Sequence, residues 1–321
     1  MEASLATDFR RPVVMILTPV YNEEANLPRY EDEFSRVFLA RTDIEYRVLF
    51  IDDGSQDRSW ELISALCARQ PRFSGLRLSR NFGPHNALSA GFGQTEADAA
   101  VVLACDLQDP PETVLEFVEQ WKTGAQIVFG HRRKRDEGLL RIWTSRGFNY
   151  LLAHHAFPRD SKFSSGSFLL ADRRVIECYR SMGEAQGITF AIFAWTGFRQ
   201  VRVDYDRRKR QAGRSGWTLP QMFGALYDAL MGYSRLPIQI FFIIGLLCLT
   251  CTLGLGAYTL LNYMLGNTKV PGWTSLVAMV NLFFGVQTLL LSIIGEYLYR
   301  IYMQTLRRPR FFVADTTPPC P

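Results

Sequence analysis

The chain has 321 residues, of which 48% are apolar and 21% are charged, and its formal net charge is +5. Its six cysteines show neither a CxxC pair nor a regular spacing, which argues against a disulfide scaffold and favours a reducing compartment. Basic residues cluster at 131–135, 207–210 and 307–310, but no recognised nucleic-acid motif accompanies them. We therefore expect no nucleic-acid partner.

Buried strands alternate with helices along the first half of the chain. Residues 1–12 lack the apolar segment of a signal peptide, and we expect them to be flexible. Continuous apolar runs predict strands at residues 13–19, 46–51, 75–78, 99–104 and 126–129. Helical patterns lie between these runs, at residues 27–40, 59–69, 86–94 and 113–122. The alternation predicts an α/β domain over residues 13–215, with a mostly parallel sheet covered by helices on both faces.

Polar residues follow two of the predicted strands, at the end of the sheet where ligands bind in such folds. Asp106 and Gln108 alternate along a short segment, so their oxygens can converge on one Mg²⁺ or Mn²⁺, which takes one or two carboxylates plus substrate phosphates. Asp52 and Asp53 can reach a ribose, a base or the same ion. Either acidic cluster also fits an ordinary turn. The arginine clusters supply guanidinium groups, which are the preferred bidentate partners of phosphate.

The C-terminal third has the composition of a membrane segment. Residues 236–268 and 270–295 contain no charged side chain, and each run exceeds the roughly 20 residues that cross a bilayer as a helix. They predict a hairpin of two transmembrane helices, at about 236–265 and 273–302. Arginines flank both outer ends of the hairpin, so the positive-inside rule places the α/β domain and the tail, residues 304–321, in the cytoplasm.

Three finer expectations concern the surroundings of the hairpin. Glu296 and Arg300 are spaced to form an i,i+4 ion pair. We expect residues 314–321 to be disordered. Residues 139–155 and 217–236 are aromatic and amphipathic. Beside a membrane this pattern favours helices that lie in the interface plane, and we assign the second of them to residues 216–235. Core helices would show the same pattern. Each basic cluster fits an ordinary solvated face. Beside a membrane, it would also attract anionic lipids by about 1 kcal/mol per residue.

Four short motifs occur in a fixed order: residues 18–24 (TPVYNEE), 51–55 (IDDGS), 79–83 (SRNFG) and 106–112 (DLQDPPE). Together they resemble the inverting family 2 glycosyltransferases. The similarity is greatest to the polyisoprenyl-phosphate branch, which includes dolichol-phosphate mannose synthase and bacterial undecaprenyl-phosphate glycosyltransferases. Residues 295–298 (GEYL), with Arg308 and Pro309, resemble the C-terminal signature of the bacterial members. The resemblance covers residues 13–313 and implies a GT-A fold.

The resemblance also implies roles for individual residues. It implies that a UDP- or GDP-linked sugar is held by Pro19, Tyr21, Glu23, Asp52, Asp53 and Asp106. It implies that Asp106 and Gln108 bind the metal that bridges the donor pyrophosphate. The arginines implied to meet the acceptor phosphate are Arg132, Arg141, Arg210 and Arg214. The residues implied to act in catalysis are Asp106, Arg132 and Arg210.

Three positions depart from the family pattern. Ala104 stands where many members have the first aspartate of a DxD motif, so Asp106 is the only carboxylate of that pair. Gly216 replaces a lysine after the Gly-x-Ser turn, and Ser167 replaces an aspartate before Phe168. The first departure affects which ligands can surround the metal. The other two affect the composition of the donor and acceptor pockets.

The sequence therefore predicts an enzyme that transfers a sugar to a polyprenyl phosphate at the cytoplasmic face of a bacterial inner membrane. The acceptor phosphate has a second pKa near about 6, so it needs little help from a general base and mainly needs its charge screened. The resemblance adds homo-oligomers as an expectation. One alternative is a polysaccharide synthase, although its usual QxxRW segment and additional spans are absent. A second is a non-catalytic membrane scaffold, which Ala104 favours. A dehydrogenase is disfavoured because the Gly91–Gly93 pattern ends a helix.

Overall fold

A computed structural model describes residues 11–133, 168–182, 189–208, 272–306 and 308–317, together with separate residues between 243 and 265. The chain divides into two compact units. The first comprises Met1–Leu226 with Pro309–Pro321, and the second comprises Tyr227–Arg308.

In the described residues, the first unit is built on one eight-stranded sheet. Its strands are β1 (Val13–Val20), β2 (Glu45–Asp52), β3 (Phe73–Leu78), β4 (Ala99–Val102), β5 (Ile127–Arg132), β6 (Leu169–Asp172), β7 (Gln200–Tyr205) and β8 (Val313–Thr316). The helices of this unit are α1 (Leu27–Phe38), α2 (Ser59–Arg69), α3 (Pro84–Gln94), α4 (Pro111–Lys122), α5 (Arg173–Ser181) and α6 (Thr189–Trp195).

The order of the strands is β7-β5-β6-β4-β1-β2-β3-β8. Strands β1 to β5 and β7 run in one direction, while β6 is antiparallel to β4 and β5, and β8 is antiparallel to β3. The carboxyl ends of six strands therefore meet at one edge of the sheet. The chain adds β2 and β3 on one side of β1 and β4 on the other, so a topological switch point lies between β1 and β4, where ligands bind in open α/β sheets.

The burial of the strands and helices explains why the apolar pattern of the sequence predicted them. Strands β1 and β2 are buried on both faces, which is why their sequences are continuous apolar runs. Helix α1 places Tyr30 and Phe34 on its inner side, where their rings meet Phe50 and Phe73 edge-on at 5.1 and 4.9 Å. The five strands and four helices predicted before residue 130 are all present, with ends that differ by a few residues.

The tail after the second unit differs from the prediction. Residues 313–316 form β8 on the outer edge of the sheet, so the expectation that residues 314–316 are disordered is wrong. Thr317 also bonds to Gly75, donating its backbone N–H at 2.9 Å. All four residues of β8 are exposed, so the strand shows no alternation of apolar and polar side chains. Its stability comes from backbone pairing to a strand more than 200 residues earlier, which local pattern cannot reveal.

In the second unit, α7 (Trp273–Thr305) is a continuous helix of 33 residues. At about 1.5 Å per residue it is about 50 Å long, and its part Leu282–Thr305 is long and apolar enough to cross a bilayer. No other helix in the described part meets that criterion. The predicted partner helix at 236–265 lies mostly outside the described residues, so a two-helix hairpin is not shown. The ion pair on α7 is confirmed, with Arg300 Nε 2.8 Å from Glu296 Oε1.

Candidate active site

The turn after β4 brings the two predicted metal ligands together. Leu107 adopts a left-handed conformation, with φ of 50°, which is unusual for a residue other than glycine. Asp106 then accepts two hydrogen bonds from Gln108, one from the side-chain Nε2 at 2.7 Å and one from the backbone at 3.2 Å. Local strain of this kind costs on the order of 1–3 kcal/mol and persists where the surrounding structure imposes it.

The donor set of this turn fits a divalent cation. Asp106 offers a carboxylate and Gln108 an amide oxygen, and Mg²⁺ or Mn²⁺ prefers such hard oxygen ligands. The described residues contain no group of three or more histidine, cysteine, aspartate or glutamate side chains that would hold a metal alone. A cation at this turn would therefore need substrate phosphates to complete its shell, which agrees with Ala104 in place of a second carboxylate.

Asp109 occupies the end of the same turn and is almost fully buried. Its Oδ1 accepts a hydrogen bond of 2.6 Å from the Tyr205 hydroxyl at the end of β7. Two guanidinium groups approach the same oxygen: Arg207 Nε at 3.4 Å and Arg132 Nη2 at 3.9 Å. Burial, with Asp109 alongside, raises the pKa of Tyr205, so its hydroxyl stays protonated and serves as a donor. Arg132, at the end of β5, thus lies on the same edge of the sheet as the Asp106–Gln108 turn.

Glycine is required beside this cluster. A Cβ on Gly130 would lie 2.8 Å from Cε1 of Tyr205 and 3.0 Å from the ring of Phe117. The space that Gly130 leaves is therefore occupied by the Tyr205 ring, which carries the hydroxyl to Asp109.

The two aspartates at the end of β2, Asp52 and Asp53, form hydrogen bonds with neighbouring loops of the protein. Asp53 accepts backbone N–H groups from Phe82 at 2.7 Å and Gly83 at 2.9 Å, so its carboxylate holds the loop after β3. Asp52 is fully buried, accepts the Ser55 N–H at 3.0 Å, and lies 3.3 Å from Arg77 Nε. Burial raises the pKa of both carboxyl groups.

The loop after β1 is tied to the loop after β2. Asn22 has a φ of 53° and its side chain accepts the Gln56 N–H at 2.9 Å. The N–H of Glu23 donates to Ser59 Oγ at 2.9 Å. Tyr21 is 42% exposed at this edge and is available to a ligand.

Pro19 has a visible structural consequence. The pairing of β1 with β4 ends at Leu17 and Val102, while the pairing with β2 continues through Pro19 and Ile51. Because proline has no N–H, it cannot extend the ladder toward β4. The two strands therefore separate at the switch point, between the loop that contains Tyr21 and the turn that contains Asp106.

The described residues thus place Pro19, Tyr21, Glu23, Asp52, Asp53, Asp106, Gln108 and Arg132 at one edge of the sheet. Arg141, Arg210 and Arg214 lie outside the described residues, as do both predicted interfacial stretches. The sequence analysis did not identify Asp109, Tyr205 or Arg207 as site residues. Asp109 stands within a quoted motif and Arg207 within a basic cluster, so each had a local signal, but their contact joins residues almost 100 positions apart.

Comparison with known proteins gives a consistent result. Residues 15–180 match the family described as glycosyl transferase family 2. The chain is 34% identical over 300 residues to the uncharacterized glycosyltransferase YkcC of Bacillus subtilis, covering 93% of this chain and 92% of that protein. It is 30% identical over 301 residues to the bactoprenol glucosyl transferase of Shigella phage SfX, covering 94% of this chain and 98% of that protein.

One solved structure similar to the chain is glucosyl-3-phosphoglycerate synthase from Mycobacterium tuberculosis in complex with Mn²⁺, UDP and phosphoglyceric acid. It is 17% identical, with a TM-score of 0.49, over 68% of this chain and 76% of that one.

Proposed function

Because the chain belongs to glycosyl transferase family 2, we propose that this glycosyltransferase moves a sugar from a nucleotide-sugar donor to a polyprenyl phosphate. The GT-A-like α/β sheet supports the donor half of this proposal. Relatives named bactoprenol glucosyl transferase support the acceptor half, and the similarity to them extends over 94% of the chain. Undecaprenyl phosphate is the acceptor that we favour.

The reaction is a single displacement with inversion. A phosphate oxygen of the acceptor forms a bond to the anomeric carbon while the bond from that carbon to the donor diphosphate breaks. The acceptor is largely dianionic at neutral pH, since its second pKa is near about 6, so no residue has to remove a proton. The chain's task is to bring two anions together and to hold them in line.

On the donor side, the gap beside Pro19 and the exposed ring of Tyr21 receive the nucleotide. Asp106 and Gln108 would hold a divalent cation, which supplies charge neutralisation to the leaving diphosphate. Asp52 and Asp53 contribute through the loops that they hold, because both carboxylates are buried and already hydrogen-bonded.

On the acceptor side, Arg132 lies at the edge of the sheet, next to Asp109. Guanidinium groups bind phosphate oxygens through paired hydrogen bonds, which screens the charge of the nucleophile as it approaches. Arg141, Arg210 and Arg214 are proposed for the same task on the strength of the family resemblance.

The apolar helix α7 supports a location at the membrane. Its exposed side chains include Leu282, Phe283, Leu291 and Ile301, which suit contact with lipid. We place the enzyme in the bacterial inner membrane, with two spans, anionic lipids at its basic clusters and the catalytic unit in the cytoplasm. The hairpin, this orientation and homo-oligomer formation all remain parts of the proposal.

One observation carries the proposal: the Asp106–Gln108 turn and Arg132 lie on the same edge of the sheet, which therefore carries both a metal-type donor set and a guanidinium suited to phosphate. The test is a panel of UDP- and GDP-sugars incubated with the full-length protein, undecaprenyl phosphate, and Mg²⁺ or Mn²⁺. Mass spectrometry of the lipid is expected to show one glycosylated phosphate, whose formation EDTA stops and added Mn²⁺ restores. No lipid product with any donor would overturn the proposal and favour a scaffold.

A further inference from the structure

Asp109 is almost fully buried and lies near two arginines from different segments, Arg132 and Arg207. No other buried carboxylate in the described residues has two such partners. Its side chain is 2% exposed, whereas those of Arg132 and Arg207 are 22% and 32% exposed. The carboxylate thus lies inside the domain and both guanidinium groups reach outward from it. A buried charge is tolerated only when its partners are held in good geometry.

Tyr205 supplies that geometry. Its hydroxyl donates to Asp109 at 2.6 Å and accepts a hydrogen bond of 3.3 Å from Arg132 Nε. Arg132 is therefore held at two nitrogens, Nε by the hydroxyl and Nη2 near the carboxylate. The ring of Tyr205 is fixed in turn by edge-on contact with Phe168 at 5.2 Å.

Arg207 is oriented by the residue that follows it. The Arg208 N–H donates to the Gln108 carbonyl at 2.8 Å, so the chain after β7 lies along the Asp106–Gln108 turn. The Arg208 guanidinium forms two hydrogen bonds with Glu112, at 2.9 and 2.8 Å. Because residue 208 is fixed at both its backbone and its side chain, Arg207 is directed toward Asp109.

Nε is the nitrogen of Arg207 that lies nearest to Asp109, 3.4 Å from Oδ1. Within the described residues its two terminal nitrogens donate no hydrogen bond, and the side chain is 32% exposed. A partly exposed guanidinium whose Nε lies beside a buried carboxylate keeps its two terminal nitrogens for bidentate binding of an anion with several oxygens. The partner chemistry that fits is a phosphate group.

We propose that Arg207 is a phosphate-binding residue of this site, paired with Arg132, and that Asp109 is the positioning residue that holds the two guanidinium groups beside the end of the Asp106–Gln108 turn. The inference rests on the proposed function and extends it to Arg207 and Asp109. Two phosphates can reach this edge, the diphosphate of the donor and the monoester of the acceptor, and the experiment separates them.

The variants R207Q and D109N are compared with R202Q and D204N as matched controls. Arg202 and Asp204 lie on β7, pair with each other at 2.8 Å and are about half exposed, so they report on a charge change in the strand that precedes Arg207 but outside the Asp109 cluster. Binding of undecaprenyl phosphate to the full-length protein in detergent, with undecaprenol as the uncharged reference, measures acceptor affinity without turnover. Binding of UDP and GDP with Mn²⁺ measures donor affinity.

R207Q is expected to weaken undecaprenyl phosphate binding about 10- to 100-fold, the effect of losing a charge-assisted hydrogen bond, with undecaprenol unaffected. If the donor diphosphate is the ligand, the loss appears in nucleoside diphosphate affinity instead. D109N is expected to give a similar but smaller loss, and the double variant D109N/R207Q to lose less than the two single losses combined, because part of the effect of Asp109 acts through Arg207. In turnover assays D109N would raise KM for the affected substrate more than it lowers kcat.

The inference is overturned if R207Q binds both phosphate ligands as the wild type does, or if D109N and R207Q combine additively. This holds whether or not turnover is seen, since both readouts are binding measurements. Absence of lipid product from the wild type would instead overturn the proposed function.

Discussion

Gly54 offers a sharp test of the site's architecture. It follows Asp53 and has a φ of +69°, and a Cβ built on it would lie 2.5 Å from the backbone carbon of Arg80. Gly197 has nearly the same φ, +75°, but a Cβ there would meet no atom within 4 Å. The two glycines therefore share the backbone requirement and differ in their contacts. We expect G54A to be the more destabilising substitution.

The magnitude follows from the two effects. An alanine with positive φ costs about 1–2 kcal/mol in either variant. In G54A the new methyl group also forces the Arg80 backbone aside, which adds about 1–3 kcal/mol of overpacking. Because about 1 kcal/mol shifts Tm by about 2–4 °C in a domain of this size, G54A is expected to melt at least about 2 °C below G197A.

The assay is thermal unfolding of the full-length protein in detergent, with G93A as a second control. Gly93 lies near the end of α3 without a positive φ or a close contact, so alanine there is expected to leave Tm unchanged or slightly higher. The displaced loop is the one that Asp53 holds, so G54A is also expected to weaken nucleoside diphosphate binding. Equal Tm values for G54A and G197A would show that the Arg80 backbone can move away from the new methyl group at little cost. That result would refute the rigid packing of the loop after β2 against the loop after β3.

Three further predictions concern other parts of the chain. D106N is expected to lower transfer at least about 100-fold at saturating Mn²⁺, the scale of losing one group that stabilises developing charge; unchanged initial rates would rule out the metal assignment. Burial lowers the pKa of His85 to about 4. The unfolded chain therefore binds a proton between pH 6.5 and 4 that the folded chain does not, and stability falls as the pH drops through that window. H85F, which keeps the edge-on contact with Phe190, is expected to flatten the decline of Tm between pH 7 and 4.5, and a slope like that of the wild type would contradict this. Deletion of residues 309–321 removes β8 and several backbone hydrogen bonds worth about 1 kcal/mol each, so Tm is expected to fall, whereas deletion of 318–321 serves as the control that should leave Tm unchanged.

The sequence was most informative where a segment's environment is uniform along its length. Strands β1, β2 and β4 are buried on both faces, so their apolar runs were sufficient to locate them. Helix α7 was located for the related reason that its side chains are apolar over many turns. The polar residues after β2 and β4 followed from the strand ends, because parallel strands place those ends on one edge.

Other elements were missed because their partners lie far away in the chain. Strand β6 has only four residues and pairs with both β4 and β5, in the antiparallel sense. Strand β8 has four exposed residues and depends on β3. Neither strand has a periodic pattern long enough to be recognised, and each exists because a neighbouring strand presents unpaired backbone groups.

The sequence by itself determined the α/β class, the apolar C-terminal helix and the family motifs with their candidate ligands. These depend on composition and on spacing over a few residues, which the chain carries locally. The tertiary structure alone decided that Asp53 holds the loop after β3 and that Asp109 gathers Tyr205, Arg132 and Arg207. The reason is that sheet order sets which strand ends become neighbours, and hydrogen bonds between distant segments set that order.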